Sequence, residues 1–257
     1  MSALLTISGL TKSFGGLRVT DDLSLSIEEC TTHAVIGPNG AGKTTLISQL
    51  SGQLRPDAGQ IIYADEDITR LDMAGRVHRG LARSFQITTL LPGFSALENV
   101  ALAVQARRGS SFRFFRAARA EKALNDAALA CLEEVGLAAQ ANRLASELSH
   151  GEKRQLELAV ALATGPRLLL LDEPLAGTGH DEAEALIALL GRLKSRLTLV
   201  LIEHDMAAVF ALADQVSVLV NGRLIASGPP ARVRSDPAVR AAYLGEEEAD
   251  PCCASRV

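Results

Sequence analysis

Three short stretches carry residue types that perform phosphate chemistry when they meet. The first, HAVIGPNGAGKTTLISQLSG over residues 33–52, reads as an apolar strand, a glycine-rich loop and a helix stopped by Gly52. That succession is the context a phosphate-binding loop requires. Gly37, Gly40 and Gly42 let backbone N–H groups turn toward phosphate oxygens, where a Cβ would crowd the loop or the ligand. Lys43 brings positive charge to β- and γ-phosphates, and Thr44 offers a hydroxyl to magnesium. Pro38, Asn39, Ala41 and Thr45 complete the candidate contact set. A plain glycine-rich turn would need no Lys-Thr pair at that place.

The second stretch, PRLLLLDEPLAG from residue 166, is an unbroken apolar run ending in two acids. It fits a central parallel strand buried on both faces, with its carboxyl end at the ligand edge of the sheet. Asp172 is placed to hold magnesium, usually through its water shell, and Glu173 to polarise an attacking water. Neighbouring strand residues point to opposite sides, so two adjacent acids suit two tasks. Alone, the pair would read as acids at a solvated strand end. The third stretch, LTLVLIEHDM from residue 197, repeats the pattern and ends in Glu203, His204 and Asp205. A histidine at that edge, His204, can reach a γ-phosphate and hold the water and Glu173 in line, where a lone histidine elsewhere would read as a structural residue. His33 reads as a core or edge residue, and His78, His150 and His180 have no comparable setting.

Residues 148–163, LSHGEKRQLELAVALA, admit two readings. Ser149 and Glu152 form a capping box, each side chain satisfying a free backbone N–H at the helix start. A helix start bearing Ser149 and Gly151 is also an anion site, because its unpaired N–H groups and dipole face negative charge.

The elements that position these residues fit in 257 residues, 47% of them hydrophobic, enough for one large domain or a core with an inserted subdomain. Residues 95–106 and 116–135 have helical composition, while LTISGLTKSF and GQIIYADEDI alternate as strands. A formal charge of -4 with pI near 5.8 argues against direct nucleic-acid binding. No apolar run reaches the roughly 18–20 residues that cross a bilayer, and the start lacks a signal-peptide layout, so a soluble cytoplasmic chain is expected. Cys30, Cys131, Cys252 and Cys253 show no metal spacing, and free thiols are expected.

Taken in order, GPNGAGKTT, SFQ, LSHGE, LLLLDEP and IEHD resemble the ATP-binding subunit of an ABC transporter over nearly the whole chain. Apart from the phosphate loop each motif is short; five in this order and spacing are specific. The resemblance implies an α/β fold: a RecA-like P-loop ATPase core with an N-terminal antiparallel β-subdomain and an inserted helical subdomain. The ATPase domain would span 1–246 with the insertion at 87–164, leaving a polar, disordered tail at 247–257. It implies ATP and Mg2+ as cofactors, Phe14 stacking on adenine, and Gln86 touching magnesium and reporting on the membrane partner. A core aromatic is the other reading of Phe14.

By the same resemblance, Ser149 and Gly151 face the γ-phosphate held by a second subunit, identical or paralogous, so that two chains close around two ATP molecules. His150 and Glu152 stand where the commonest form has Gly and Gln. A carboxylate facing phosphate would repel it, so Glu152 is expected to turn back into the capping box. After LLLLDEP the chain continues LAGTG, leaving Gly179 where the family commonly has an aspartate, a departure that bears on communication between the two sites.

KSFGGLRVTDDLSL, LARSFQITTLLPGFSALENVALA, an extended helical insert and VRAAYLGEE are similar to the ATP-binding subunits of branched-chain amino-acid importers. That implies two membrane permeases, a solute-binding protein, and a peripheral place on the cytoplasmic face of the inner membrane. Urea or aromatic-acid importers and the lipopolysaccharide exporter are close alternatives. A soluble ABC ATPase acting on ribosomes or DNA is a different class, which generally carries two ATPase units or long coiled coils. The insert RRGSSFRFFRAARAEK, residues 107–122, interleaves arginines with Phe112, Phe114 and Phe115. Such a stretch suits nucleic acid or anionic lipid, but a partly solvated helix packing its phenylalanines is expected here.

Overall fold

The computed structural model describes residues 3–84, 90–108 and 122–241. Gln86, residues 109–121 of the insert, Cys252 and Cys253 lie outside them.

Alternating apolar and polar residues build the first sheet. β1 (Ala3–Phe14) and β2 (Leu17–Glu28) pair antiparallel across Gly15 and Gly16, and β4 (Ala58–Tyr63) and β5 (Glu66–Asp67) extend the sheet in the order β2-β1-β4-β5. The stretch GQIIYADEDI is thus not one strand. Ala64 and Asp65 both have positive φ, 47° and 65°, and fold it into a two-residue hairpin.

Continuous apolar runs build the centre of the second sheet, whose six strands lie in the order β10 (Arg223–Gly228), β9 (Gln215–Val220), β3 (Thr32–Ile36), β8 (Thr198–Ile202), β7 (Leu168–Asp172), β6 (Leu81–Ser84). β3, β6, β7, β8 and β9 run parallel, and β10 returns antiparallel beside β9. Every residue of β3, β7 and β8 is buried, as runs covered on both faces require. Pleat alternation divides them. Leu169, Leu171, Leu199 and Leu201 pack with the helices α3 (Ala96–Arg108), α4 (Lys122–Glu134), α5 (His150–Ala163) and α6 (His180–Leu193). Leu168, Leu170, Val200 and Ile202 point the other way, toward α1 (Lys43–Ser51) and the antiparallel sheet. Residues 95–106 fall almost wholly in α3; of 116–135, those from 122 on are described and form α4. Smaller helices finish the core: α2 (Met73–His78) beside α1, and α7 (Met206–Leu212), α8 (Pro230–Ser235) and α9 (Pro237–Val239) around β9.

His33, on the central strand, is a core residue with 2% exposure, and its Nε2 lies 2.8 Å from Ser217 Oγ. Among the described residues, no helix is long and apolar enough to cross a membrane.

Candidate functional site

Strand register brings the chemistry to one edge. Val35 and Asp172 both pair with Ile202, and Leu171 pairs with Ser84, so the parallel strands β3, β8, β7 and β6 end side by side. The loop after Ile36, the acids after Leu171, Glu203 with His204, and Ser84 at the end of β6 all lie at that edge, where ligands bind in such sheets.

The loop between β3 and α1 is held by its neighbours. A Cβ on Gly37 would come within 2.0 Å of the Leu219 carbonyl oxygen, and one on Gly42 within 2.5 Å of that of Val19. Those two glycines are therefore required by the packing of the loop against β9 and β2. Gly40 differs: its φ is +78° and a Cβ there would meet nothing within 4 Å. Gly42 caps α1 without a side-chain bond, and the first turn of α1 has no acid. Such a helix start offers its free N–H groups and positive dipole end to an anion. Lys43 Nζ donates to the carbonyls of Gly37 and Pro38 at 2.6 and 2.9 Å. Partial burial lowers the Lys43 pKa, while Glu173 and Asp172 pull it back up. Ala41 N–H donates to Pro38 O, and Thr44 and Asn39 are exposed.

Asp172 lies on the α1 side of the sheet, as its parity with Leu168 and Leu170 requires, and is buried. Burial raises its pKa; Arg83, 2.8 Å away, opposes that rise. No motif or spacing in the sequence marks Arg83, yet its guanidinium also reaches Gln53 Oε1 at 2.8 Å. Glu173 is half-buried and stands beyond the strand with φ +48°. The two acids are thus set apart by a left-handed turn rather than by pleat alternation, which corrects the sequence argument.

His204 is exposed, its Nδ1 3.9 Å from Glu203 Oε2. Phe14 is 51% exposed, which excludes a core aromatic. It lies at the end of the β1–β2 hairpin, pairs with Leu17, and has Lys12 Nζ 5.8 Å from its ring centre. Val19 of that hairpin touches Gly42, so the tip borders the loop.

Ser149 and Glu152 form the capping box: Ser149 Oγ accepts from Glu152 N–H at 3.2 Å, and Glu152 Oε2 accepts from Ser149 N–H at 2.7 Å. Glu152 is turned back as expected, and the Ser149 N–H is the largest cause of its lowered pKa. Among the described residues, no hydrogen bond or ion pair joins Ser149 or Gly151 to residues 37–45 of the same chain. Gly179 starts α6 without a side-chain cap.

A magnesium ion suits this donor set. Thr44 and Asp172 supply hard oxygens at the mouth of an anion cradle, and magnesium completes its shell with phosphate and water. Among the described residues no group of three or more His, Cys, Asp or Glu converges to cage a metal.

Comparison with known proteins gives consistent findings. Residues 20–176 match the profile of the ABC transporter family, and residues 223–249 that of branched-chain amino acid ATP-binding cassette transporters. The chain is 39% identical over 252 residues to the high-affinity branched-chain amino acid transport ATP-binding protein BraF of Pseudomonas aeruginosa, covering 95% of this chain and 98% of that one. It is 32% identical over 246 residues to the lipopolysaccharide export system ATP-binding protein LptB of Escherichia coli, at the same coverage. Among solved structures, the ADP conformation of an ATP-binding cassette of an ABC transporter superposes with a TM-score of 0.84 at 30% identity, covering 95% of this chain and all of that one.

Proposed function

The chain belongs to the ABC transporter ATP-binding family, and we propose that it is the ATP-hydrolysing subunit of an importer for branched-chain or related hydrophobic amino acids. The substrate class is carried by the branched-chain profile match at residues 223–249, outside the 20–176 stretch that matches the general ABC transporter profile. Lower identity to LptB than to BraF makes lipopolysaccharide export the weaker reading. Urea and aromatic-acid import use the same ATPase chemistry and are separated only by transport.

In this reading the 37–45 loop and Lys43 bind the β- and γ-phosphates, and Phe14 stacks on adenine. Thr44, Asp172 and Gln86 hold Mg2+, which when bound neutralises phosphate charge. Glu173 orients and polarises the attacking water, and His204 keeps that water in line. Ser149 and Gly151 face the nucleotide of a second ATP-binding subunit, identical or paralogous; the free N–H groups of the α5 start supply the anion site this requires. The ATPase domain covers 1–246 with the helical insertion at 87–164 and a tail at 247–257. Two permeases and a solute-binding protein complete the system, with this subunit peripheral on the cytoplasmic face of the inner membrane.

The test is coexpression with the two permeases of a branched-chain amino-acid importer, followed by ATP-driven transport in vesicles supplied with the binding protein. The chain should sediment with membranes and resist a high-salt wash, and labelled leucine should be transported. Release by salt would reduce the association to electrostatics. Transport of urea or an aromatic acid in place of leucine would replace the substrate.

A further inference from the structure

Two separate parts of the chain, α5 and the end of β8, hold the turn at residues 173–175. Glu173 has a left-handed backbone, which a residue with a side chain keeps only where its surroundings fix it. Its N–H donates to Ile202 O at 2.9 Å. From α5, Arg154 Nη1 donates to the Glu173 carbonyl at 3.0 Å and also to the Pro174 carbonyl. From the end of β8, Glu203, 1% exposed, accepts the Leu175 N–H through Oε1 at 2.8 Å and the His204 N–H through Oε2 at 3.2 Å.

One chain of bonds therefore runs from α5, which begins at Ser149 and Gly151, through the Glu173 turn to the backbone of His204. Both contributors are charged groups engaged with main-chain atoms. An enclosed carboxylate carries a desolvation penalty that only well-made bonds offset. Burial accordingly pushes the Glu203 carboxyl up, and the Leu175 and His204 N–H groups pull it down. Charge-assisted bonds of this kind are stronger and more directional than neutral ones, which suits a part that fixes geometry.

We infer that Arg154 and Glu203 are positioning residues for hydrolysis: they fix the Glu173 turn and tie it to α5, so a shift of the α5 start is felt at Glu173 of the same chain. This rests on the reading of Glu173 as the water-polarising group. A misplacement of about 1 Å at such a group costs on the order of 100-fold in rate.

The experiment measures ATP turnover and nucleotide affinity of the purified full chain carrying Arg154→Met, Arg154→Lys, Glu203→Gln, Glu173→Gln, and Glu173→Gln combined with Arg154→Met. Arg154→Met should lower kcat by about 30-fold or more while leaving the Kd for ATP within about twofold, and Arg154→Lys should recover part of the loss. The double variant should be no slower than Glu173→Gln alone, because Arg154 acts through Glu173. Turnover of Arg154→Met within about threefold of the parent, or a loss that multiplies in the double variant, overturns the inference. If Arg154→Met does not fold, the isosteric Glu203→Gln decides by the same kcat and Kd criteria. Parental turnover in Glu173→Gln would instead overturn the underlying reading, and the inference with it.

Discussion

Arg83 and Asp172 form an ion pair at 2.8 Å in which both side chains are almost fully enclosed, 7% and 2% exposed. The pair joins β6, which leads to Gln86, to β7, which ends at the candidate metal ligand. Removing one partner strands a charge away from water, which costs about 3–5 kcal/mol. Arg83→Met should therefore lower the unfolding free energy obtained from urea titration by that much, and adding Asp172→Asn should restore a large part of it. Equal loss in the single and double variants would show that the pair does not hold the two strands.

Binding and chemistry should separate at the loop and the turn. Lys43→Ala should abolish ATP binding in a fluorescent-nucleotide titration. Glu173→Gln should leave binding intact and slow hydrolysis by about 100-fold or more, the scale of losing a positioned base.

His33 makes stability depend on pH in a defined window. Burial lowers its pKa from 6.5 to about 4, so the folded chain keeps the ring neutral. As pH falls below 6.5 the unfolded chain takes up the proton first. The His33 contribution is thus complete above about 6.5 and is lost progressively toward 4, by roughly 3 kcal/mol in total. Urea unfolding at pH 7.5, 5.5 and 4.5 should show the parent losing more stability than His33→Leu by about that amount. Parallel curves would place the acid sensitivity elsewhere.

Ser149 has two tasks that one pair of variants separates. Ser149→Ala removes the cap bond to Glu152 and should cost about 1 kcal/mol with no effect on nucleotide binding by the monomer. In the Glu173→Gln background an ATP-dependent dimer should appear in light scattering, with itself or with a paralogue. Adding Ser149→Arg should abolish that dimer through bulk at the closed interface, while each monomer still binds ATP. A dimer as tight as its parent would leave the capping box as the whole role of Ser149.

What the sequence disclosed depended on how local the cause was. The loop and the box were legible because GPNGAGKTT and Ser149 with Glu152 act within a few residues, where spacing is geometry. The strands at 168–172 and 198–202 were legible because burial on both faces leaves an unbroken apolar run. Arg83 with Asp172, and Arg154 with the Glu173 turn, lie 89 and 19 residues apart and meet only through sheet order and the packing of α5. Pleat alternation gave a wrong reason for the separation of Asp172 and Glu173, since the backbone leaves strand geometry between them. Glu203 read as one more acid at a strand end, and only its enclosure and its two N–H partners mark it as different.

Gly37 and Gly42 place the phosphate loop between carbonyls of two different sheets, Leu219 on one side and Val19 on the other. A survey of tolerated substitutions would find both positions intolerant, and it would be natural to assign that intolerance to nucleotide. Their loss would in fact lower the yield of folded protein, whether or not ATP was supplied. Gly40 has open space around it but a φ of +78°, so a side chain there meets backbone strain without a collision, and its variants should fold in better yield than those at Gly37 or Gly42 though below the parent. Three glycines of one motif would then be intolerant for two different reasons, two through collisions with carbonyls of neighbouring strands and one through its left-handed backbone alone.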